Sequence, residues 1–306
     1  MFKNADEFIK EKWEEMDENT AFSGVVGCDE QFPFVNGEER VRLMIIDTKT
    51  RQIIKDQVID KKLLNKEYKK QFMLKNLQGL ELKGIVTDGD KSYYDIIDNE
   101  LQVPHSQCTF HIMDDLMDDN YKAIRKYNKK IESLENKINK QKEKIRKYEQ
   151  KKKELKKQGM KITKLNKKIK DCQKQIQSYL KDKREVKKDL EELKNYIERI
   201  SDIFKCDKEE NARRRFNILY NSIEFLPSTI APFIKRLHNY FDRAIAHIKY
   251  SFLDSTNNVL ERCFGVTLPR YLKKRYRTDK GLEIRIKLSD IRYTQRNLKN
   301  TPPTLN

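Results

Sequence analysis

The chain has 306 residues, 37% charged and 37% hydrophobic, with 66 Lys and Arg against 48 Asp and Glu and a formal net charge of +18. That length can bury one large core or two modest ones without disulfides or structural metal. There is no run of 18 apolar residues, and the polar, acidic opening MFKNADEFIKEKWEEMDENT has neither a basic n-region nor an apolar h-region, so the expectation is a soluble chain with no membrane partner and no secretion signal.

Charge divides the sequence into three parts. Residues 1–121 hold 16 basic and 25 acidic side chains, residues 122–200 hold 29 and 12, and residues 201–306 hold 21 and 11. An acidic first third suits divalent cations, whereas the basic middle and end suit a polyanion or are simply solvated. Cys28, Cys108, Cys172, Cys206 and Cys263 are odd in number and contain no C-x-x-C pair, which places the chain in a reducing compartment, cytoplasmic or nucleoid-associated in a prokaryote.

In chain order, residues 1–20 read as a short helix or linker. AFSGVVGCDEQF, ERVRLMIIDT and RQIIKDQVID are short apolar or alternating runs separated by the turn chemistry of FVNGE and DTKTR, the pattern of an antiparallel meander. A helix follows over Leu63 to Leu77, then the strand LKGIVT ending in Asp-Gly-Asp, the helix SYYDIIDNEL and a fifth strand in VPHSQCTF, with His111 opening another helix. Strands in a row followed by strand-helix-strand alternation predict an α/β fold with a mixed five-stranded sheet over residues 21–121.

Across residues 122–200 the apolar period becomes heptadic. Ile124, Tyr127, Ile131, Leu134, Ile138 and their successors step by three and four, and a second run begins at Ile162 in a different frame, after an interval holding Gly159. An antiparallel hairpin accounts for both runs, and a single straight coiled coil that dimerises is the competing reading. Residues 201–300 return to amphipathic helices, with Ser255 or Thr256 as N-cap of a helix carrying Glu261, and residues 301–306 read as a disordered tail.

Three acids stand where a purely structural role is hard to assign. Asp29 follows the apolar run SGVVGC, Asp88 ends LKGIVT, and Glu261 lies beside Val259 and Leu260. A charge at the end of an apolar strand is costly unless paired or bound to a metal, and convergent carboxylates are what hard Mg2+ or Mn2+ ions need. Taken singly, each also reads blandly: Asp29 as a solvated strand end, Asp88 as a turn aspartate, Glu261 as a surface side chain. DGDKSYYDIIDNE is not a calcium loop, since Tyr93 stands where that loop needs Gly and Asn99 where it needs Glu. His105, Cys108 and His111 offer only three nearby zinc ligands. The phosphate-loop and dinucleotide glycine motifs are absent, so no nucleotide cofactor is expected.

Together GCDEQF, IVTDGDKSYYDII, SQCTFHIMDDL and STNNVLER resemble the DDE transposases with a ribonuclease-H-like core, and among them the Mutator-like group. The resemblance implies a ribonuclease-H-like sheet with flanking helices, interrupted by the coiled-coil hairpin as an insertion, with the Glu helix in residues 201–300. It implies Asp29, Asp88 and Glu261 as the catalytic carboxylates, holding two Mg2+ or Mn2+ ions, with Asp90 in reserve for Asp88. Cys108 and His111 match the group's Cys-x2-His signature. The implied activity is metal-dependent cleavage and strand transfer on DNA, with Arg262, Arg270, Lys273, Lys274, Arg275 and Arg277 contacting phosphates, and a homodimer is possible. The separate N-terminal DNA-binding domain usual in the group has no counterpart in the roughly 20 residues before the core, so the expectation is a fragment, or end recognition by the basic segments. The rival readings are a non-catalytic coiled-coil protein that binds nucleic acid and keeps a degenerate core, and a metal-dependent nuclease of the same fold.

Overall fold

The structure, a computed structural model, describes residues 7–12 and 22–298. The chain forms two compact units, Met1–Met113 with Cys206–Ala212 and Asn239–Asn306, and Asp114–Lys205 with Arg213–His238. Most of the expected N-terminal helix and the whole of the C-terminal tail lie outside the described residues, with a helical segment at 7–12.

In the first unit, strands β1 (Val25–Gln31), β2 (Phe34–Val35), β3 (Glu38–Asp47) and β4 (Ile53–Asp60) precede helix α1 (Lys66–Leu77), β5 (Gly84–Thr87), α2 (Lys91–Asp95) and β6 (His105–Gln107). The sheet runs β4-β3-β1-β5-β6, with β3 antiparallel to β1 and β4, and β1, β5 and β6 parallel. It has six strands where the sequence predicts five. FVNGE, expected as a turn alone, forms a tight hairpin in which Asn36 (φ 50°) and Gly37 (φ 85°) adopt the left-handed backbone of a two-residue loop, so that Phe34–Val35 pairs with Glu38–Glu39.

Both faces of the sheet are covered by helices. Val41, Leu43 and Ile45 of β3 pack on Phe72, Met73 and Leu77 of α1, while Met44 and Ile46 face Leu260, Cys263 and Phe264 of α9 (Asn258–Thr267). Cover on both sides is why β1 and β3 carry near-continuous apolar runs and not a simple alternation. The short helices α7 (Phe241–Ala244) and α8 (Ala246–Lys249) lie before α9, and α10 (Asp279–Leu298) closes the unit. The N-cap of α9 is Asn257, not Ser255 or Thr256. The Ser255 carbonyl instead accepts from the backbone N–H and hydroxyl of Thr109.

One charge sits in the middle of this core. Arg42, on β3, is fully buried, and its guanidinium donates to Asp56 Oδ2 (2.7 Å), Asp290 Oδ1 (2.7 Å), Thr267 Oγ1 (2.8 Å) and Gln31 Oε1 (3.3 Å). Burial works against the Arg42 charge, and the two carboxylates outweigh it. For Asp290, burial and then the Asp56 charge push the carboxyl well above the ordinary range, with Arg42 opposing. The remaining oxygens, Asp56 Oδ1 and Asp290 Oδ2, are buried without a hydrogen-bond partner. Two buried acids around one cation therefore leave Asp290 disposed to its neutral form.

In the second unit, α3 (Thr109–Lys157, of which residues 109–113 belong to the first unit) and α4 (Thr163–Ser201) form the antiparallel hairpin, which settles the competing readings of the heptads. Glu135 pairs with Lys183 (2.6 Å), and the Lys137 and Lys168 ammonium groups each lie 5.7 Å from the ring centres of Tyr179 and Tyr148. Partner numbers fall as chain numbers rise, the signature of antiparallel arms. Gly159 turns the chain with φ 70°. Leu134, Ile138, Cys172, Val186, Leu190, Leu193 and Ile200 are buried, all at a or d positions of the heptads. Gln141 breaks the apolar seam, and its carbonyl oxygen is buried with no hydrogen-bond partner. Helices α5 (Glu209–Asn221) and α6 (Ala231–His238) add an aromatic stack in which Tyr220 lies 4.3 Å from the His238 ring.

Replacing Arg42 by Met strands two buried carboxylates and is expected to cost about 3–5 kcal/mol in chemical denaturation. Because the folded pKa of Asp290 is raised, its contribution is complete in acid, below the unfolded carboxylate value near ~3.9, and is lost as pH rises toward the folded value. The stability difference between wild type and Asp290→Asn is expected to carry that falling slope, and a pH-independent difference would refute the raised Asp290 carboxyl. In the hairpin, Gln141→Leu removes an unsatisfied buried amide and is expected to raise stability by about 1–2 kcal/mol, read as a higher urea midpoint.

Candidate functional site

β1 and β5 are parallel neighbours, with Cys28 in register with Thr87. The next residues of the two chains are Asp29 and Asp88, so sheet geometry alone sets these acids side by side. Carboxylate oxygens of Asp29, Glu30 and Asp88 lie within 4.8 Å of one another. They open into a cavity of about 720 Å³ that Asp90, His111 and Glu261 also line. All three expected acids thus share one cavity, but the close cluster is Asp29, Glu30 and Asp88. Glu261 is turned toward His111, with Oε1 3.5 Å from Nε2.

Each acid is held differently. Asp29 Oδ1 accepts from the Glu30 backbone N–H (2.7 Å), and Asp88 Oδ1 accepts from the Asp90 N–H (3.0 Å). Burial first, then the charge of Asp88, raises the Asp29 carboxyl well above its usual range. Glu30 accepts from the Tyr93 hydroxyl (2.8 Å) and pairs with the buried ammonium of Lys69, which also donates to Asp90 Oδ2 (2.7 Å). Asp90 caps α2 through the Ser92 N–H (2.8 Å), and the Lys69 hydrogen bond is the leading influence holding its pKa low against its own burial. The reserve acid is therefore committed to Lys69 and to a helix cap.

Cys108 is fully buried, its sulfur accepting from the Asn257 N–H at 3.3 Å. The neighbouring Cys108, opposed by burial and reinforced by the Glu261 and Asp88 charges, holds the His111 imidazole up to about 9, and His111 Nδ1 is buried without a hydrogen-bond partner. His111 lines the same cavity as Asp88 and Glu261, with its pKa raised above the ordinary imidazole value. Of the six basic residues expected to meet phosphate, Arg270, Lys273 and Lys274 line the cavity, whereas Arg262, Arg275 and Arg277 do not. Their segment is fixed along β2 by the Phe34 N–H to Lys273 carbonyl bond (2.7 Å) and the Asn36 N–H to Tyr276 carbonyl bond (2.8 Å). The result is an acidic floor under a basic rim, able to hold a cation and an anionic group together.

Several positioning residues escape a reading of the sequence. Glu30 was visible as the second acid of Asp-Glu at a strand end, but its partner Lys69 comes from a helix whose sequence reads as polar all round. Gly27 was visible only as a glycine within a strand, which signals close approach of another group. A Cβ there would lie 2.6 Å from Asn257 Oδ1, and Asn257 caps the helix that carries Glu261.

Residues 120–214 match the family model of the ODAD1 central coiled coil region. No curated protein and no solved structure matches the chain. The match covers a minority of the chain and is a likeness of that segment. It corrects the transposase expectation: the segment with a family likeness is a coiled coil, and neither membership of the Mutator-like group nor DNA cleavage and strand transfer stands. The enzymatic assignment is withdrawn with it. Among the described residues, no helix is long and apolar enough to cross a membrane.

Gly27→Ala is expected to push Asn257 from β1 and to destabilise the fold by about 1–3 kcal/mol, seen as a lower denaturation midpoint. Unchanged stability would show that α9 is not held by this approach.

Proposed function

We propose that the chain is a non-catalytic coiled-coil protein that engages a protein partner through its hairpin, with an α/β unit whose carboxylate cleft binds a divalent cation. The observation that carries this reading is the coincidence of the coiled-coil match over residues 120–214 with the antiparallel hairpin of α3 and α4. Exposed helical faces flanking an apolar seam are surfaces on which a further helix packs. The order β4-β3-β1-β5-β6, with one antiparallel and two parallel neighbours around the central strands, supports reading the α/β unit as ribonuclease-H-like. The five free cysteines support a reducing, cytoplasmic setting.

For the cation, Asp29 and Asp88 are the ligands the geometry favours. Glu30 is neutralised by Lys69, and Glu261 is turned to His111, so the arrangement fits one Mg2+ or Mn2+ better than the pair expected from the sequence. An ion there would tie β1 to β5 and leave coordination sites for water or an anion held by Arg270 and Lys273.

Two measurements test the reading. The full chain, immobilised in nuclease-treated extract, should retain a protein that a seam-breaking variant, Leu190→Asp with Leu193→Asp, releases. Retention that vanishes with nuclease treatment would instead make nucleic acid the partner and overturn the proposal. Mn2+ titration followed by electron paramagnetic resonance should show a bound ion that Asp29→Asn weakens by about tenfold or more, as expected on losing one of two anionic ligands. Equal affinity in the two proteins would remove the cation from the proposal.

A further inference from the structure

The hairpin's two flanks are not alike in charge. With Ile124 and Tyr127 as the first a and d positions of α3, every g position from residue 130 onward is lysine: Lys130, Lys137, Lys144 and Lys151. Lys140 and Lys147 occupy c positions on the same flank, and all six are exposed. The lysines therefore form one straight stripe parallel to the seam, in the same three-four rhythm as the apolar residues. The opposite flank of α3 has no such stripe. Glu132, Glu135 and Glu149 are interspersed there with Lys142, Arg146 and Lys153, and Glu135 is already paired with Lys183.

What faces the stripe changes along its length. Near Lys126 and Lys130 the second arm contributes Asp189 and Glu192 to a shared cavity, so the charge is balanced within the molecule. Toward the Gly159 turn the corresponding g and c positions of α4 are Lys164, Lys168, Asp171, Gln175, Ser178 and Asp182, with both lysines and both aspartates exposed. Beside Lys137, Lys140, Lys144 and Lys147 lies a groove of about 280 Å³ whose wall includes Tyr179 and in which Glu143 is the one acid. The turn-proximal half of this flank is thus a basic face with a notch beside the Tyr179 ring, in which Lys137, Lys140, Lys144, Lys147, Lys151, Lys164 and Lys168 outnumber Glu143, Asp171 and Asp182.

We infer that this flank is a docking surface for an acidic amphipathic helix of a protein partner, which lies along α3 with its carboxylates opposite the lysine stripe and an apolar side chain in the notch beside Tyr179. This rests on the reading of the hairpin as a protein-binding element and names the partner's chemistry and the face it takes. Charge complementarity selects an acid. The rhythm selects a helix, because a second helix with the same three-four spacing brings one carboxylate to each turn of lysines, whereas a solvated lysine face without a partner has no need of that register.

The test uses the full chain and a fluorescent helical peptide of about three heptads, with glutamate at the positions flanking its own apolar seam. The peptide should bind with an affinity that falls steeply with salt. The fourfold reversal Lys137→Glu, Lys140→Glu, Lys144→Glu, Lys147→Glu should weaken it about tenfold or more, as expected for the loss of several surface ion pairs. The equal charge change on the other flank, Lys142→Glu, Arg146→Glu, Lys153→Glu, Lys156→Glu, should change it by about twofold or less. All eight positions are exposed, and circular dichroism verifies that both variants stay folded. Equal losses from both sets would overturn the assignment to this flank while leaving the hairpin as a protein-binding element. A DNA duplex of matched charge that displaces the peptide at lower concentration, and is itself insensitive to which flank is reversed, would overturn the choice of a protein helix and count against the broader reading as well.

Discussion

A guanidinium cannot sit in an apolar core alone, and the α/β unit is organised around meeting that demand. Arg42 donates hydrogen bonds to Gln31 on β1, Asp56 on β4, Thr267 on α9 and Asp290 on α10. Gln31 then passes the constraint on, its amide donating to the carbonyls of Phe264 (3.4 Å) and Leu268 (3.1 Å) at the end of α9. Because Gln31 lies two residues beyond Asp29 on the same strand, the network that satisfies Arg42 also fixes α9, and with it Glu261, against the strand that carries Asp29. A buried ion cluster is weak evidence for added stability, since apolar replacements can do as well. Its effect here is on register: sliding α9 or α10 along the sheet would leave a charge unpaired in the core.

The two units treat like charge in opposite ways. In the cleft, parallel strands set Asp29 beside Asp88, while the acids around them meet basic side chains from elsewhere in the fold: Lys69 for Glu30 and Asp90, and His111 beside Glu261. Lys273, on the rim, has its pKa lowered by burial and by Arg270 and Arg42, which makes it a poorly solvated cation facing the same cavity. In the hairpin the lysines point outward, and cross-arm partners such as Glu135 for Lys183 are few. The first arrangement suits a small ion held in place, the second a large partner met at a surface.

How much of this could be read from residues alone depended on whether the signal was periodic or spatial. The heptads of the hairpin and the apolar run of β3 are local patterns, and both elements appear where the sequence places them. The extra strand pair at Phe34–Val35 was hidden because two residues carry no period, although Asn36-Gly37 is a strong hairpin signal. Asp29 and Asp88 were legible as charges ending apolar runs, and parallel register does the rest. Lys69 was not legible, since its burial follows from where α1 lands on the sheet. Nor was Arg42 recognisable as a core residue, because a charged side chain between Val41 and Leu43 reads as the outward position of a strand, and its carboxylate partners come from β4 and α10. The transposase resemblance rested on short motifs around the acids, and such motifs specify a local backbone shape as readily as a chemistry.

The left-handed residue at Gly159 has a consequence for how the hairpin comes to exist. Arms joined by a short turn meet at an effective concentration set by the linker and not by the amount of protein, so pairing is indifferent to dilution. Contacts near the turn are also close in sequence, which permits zipping from Gly159 outward on the fast timescale of local helical structure. A chain this rich in lysine would repel a second copy of itself if pairing had to occur between molecules. Folding back converts a repulsive bimolecular encounter into a unimolecular closure.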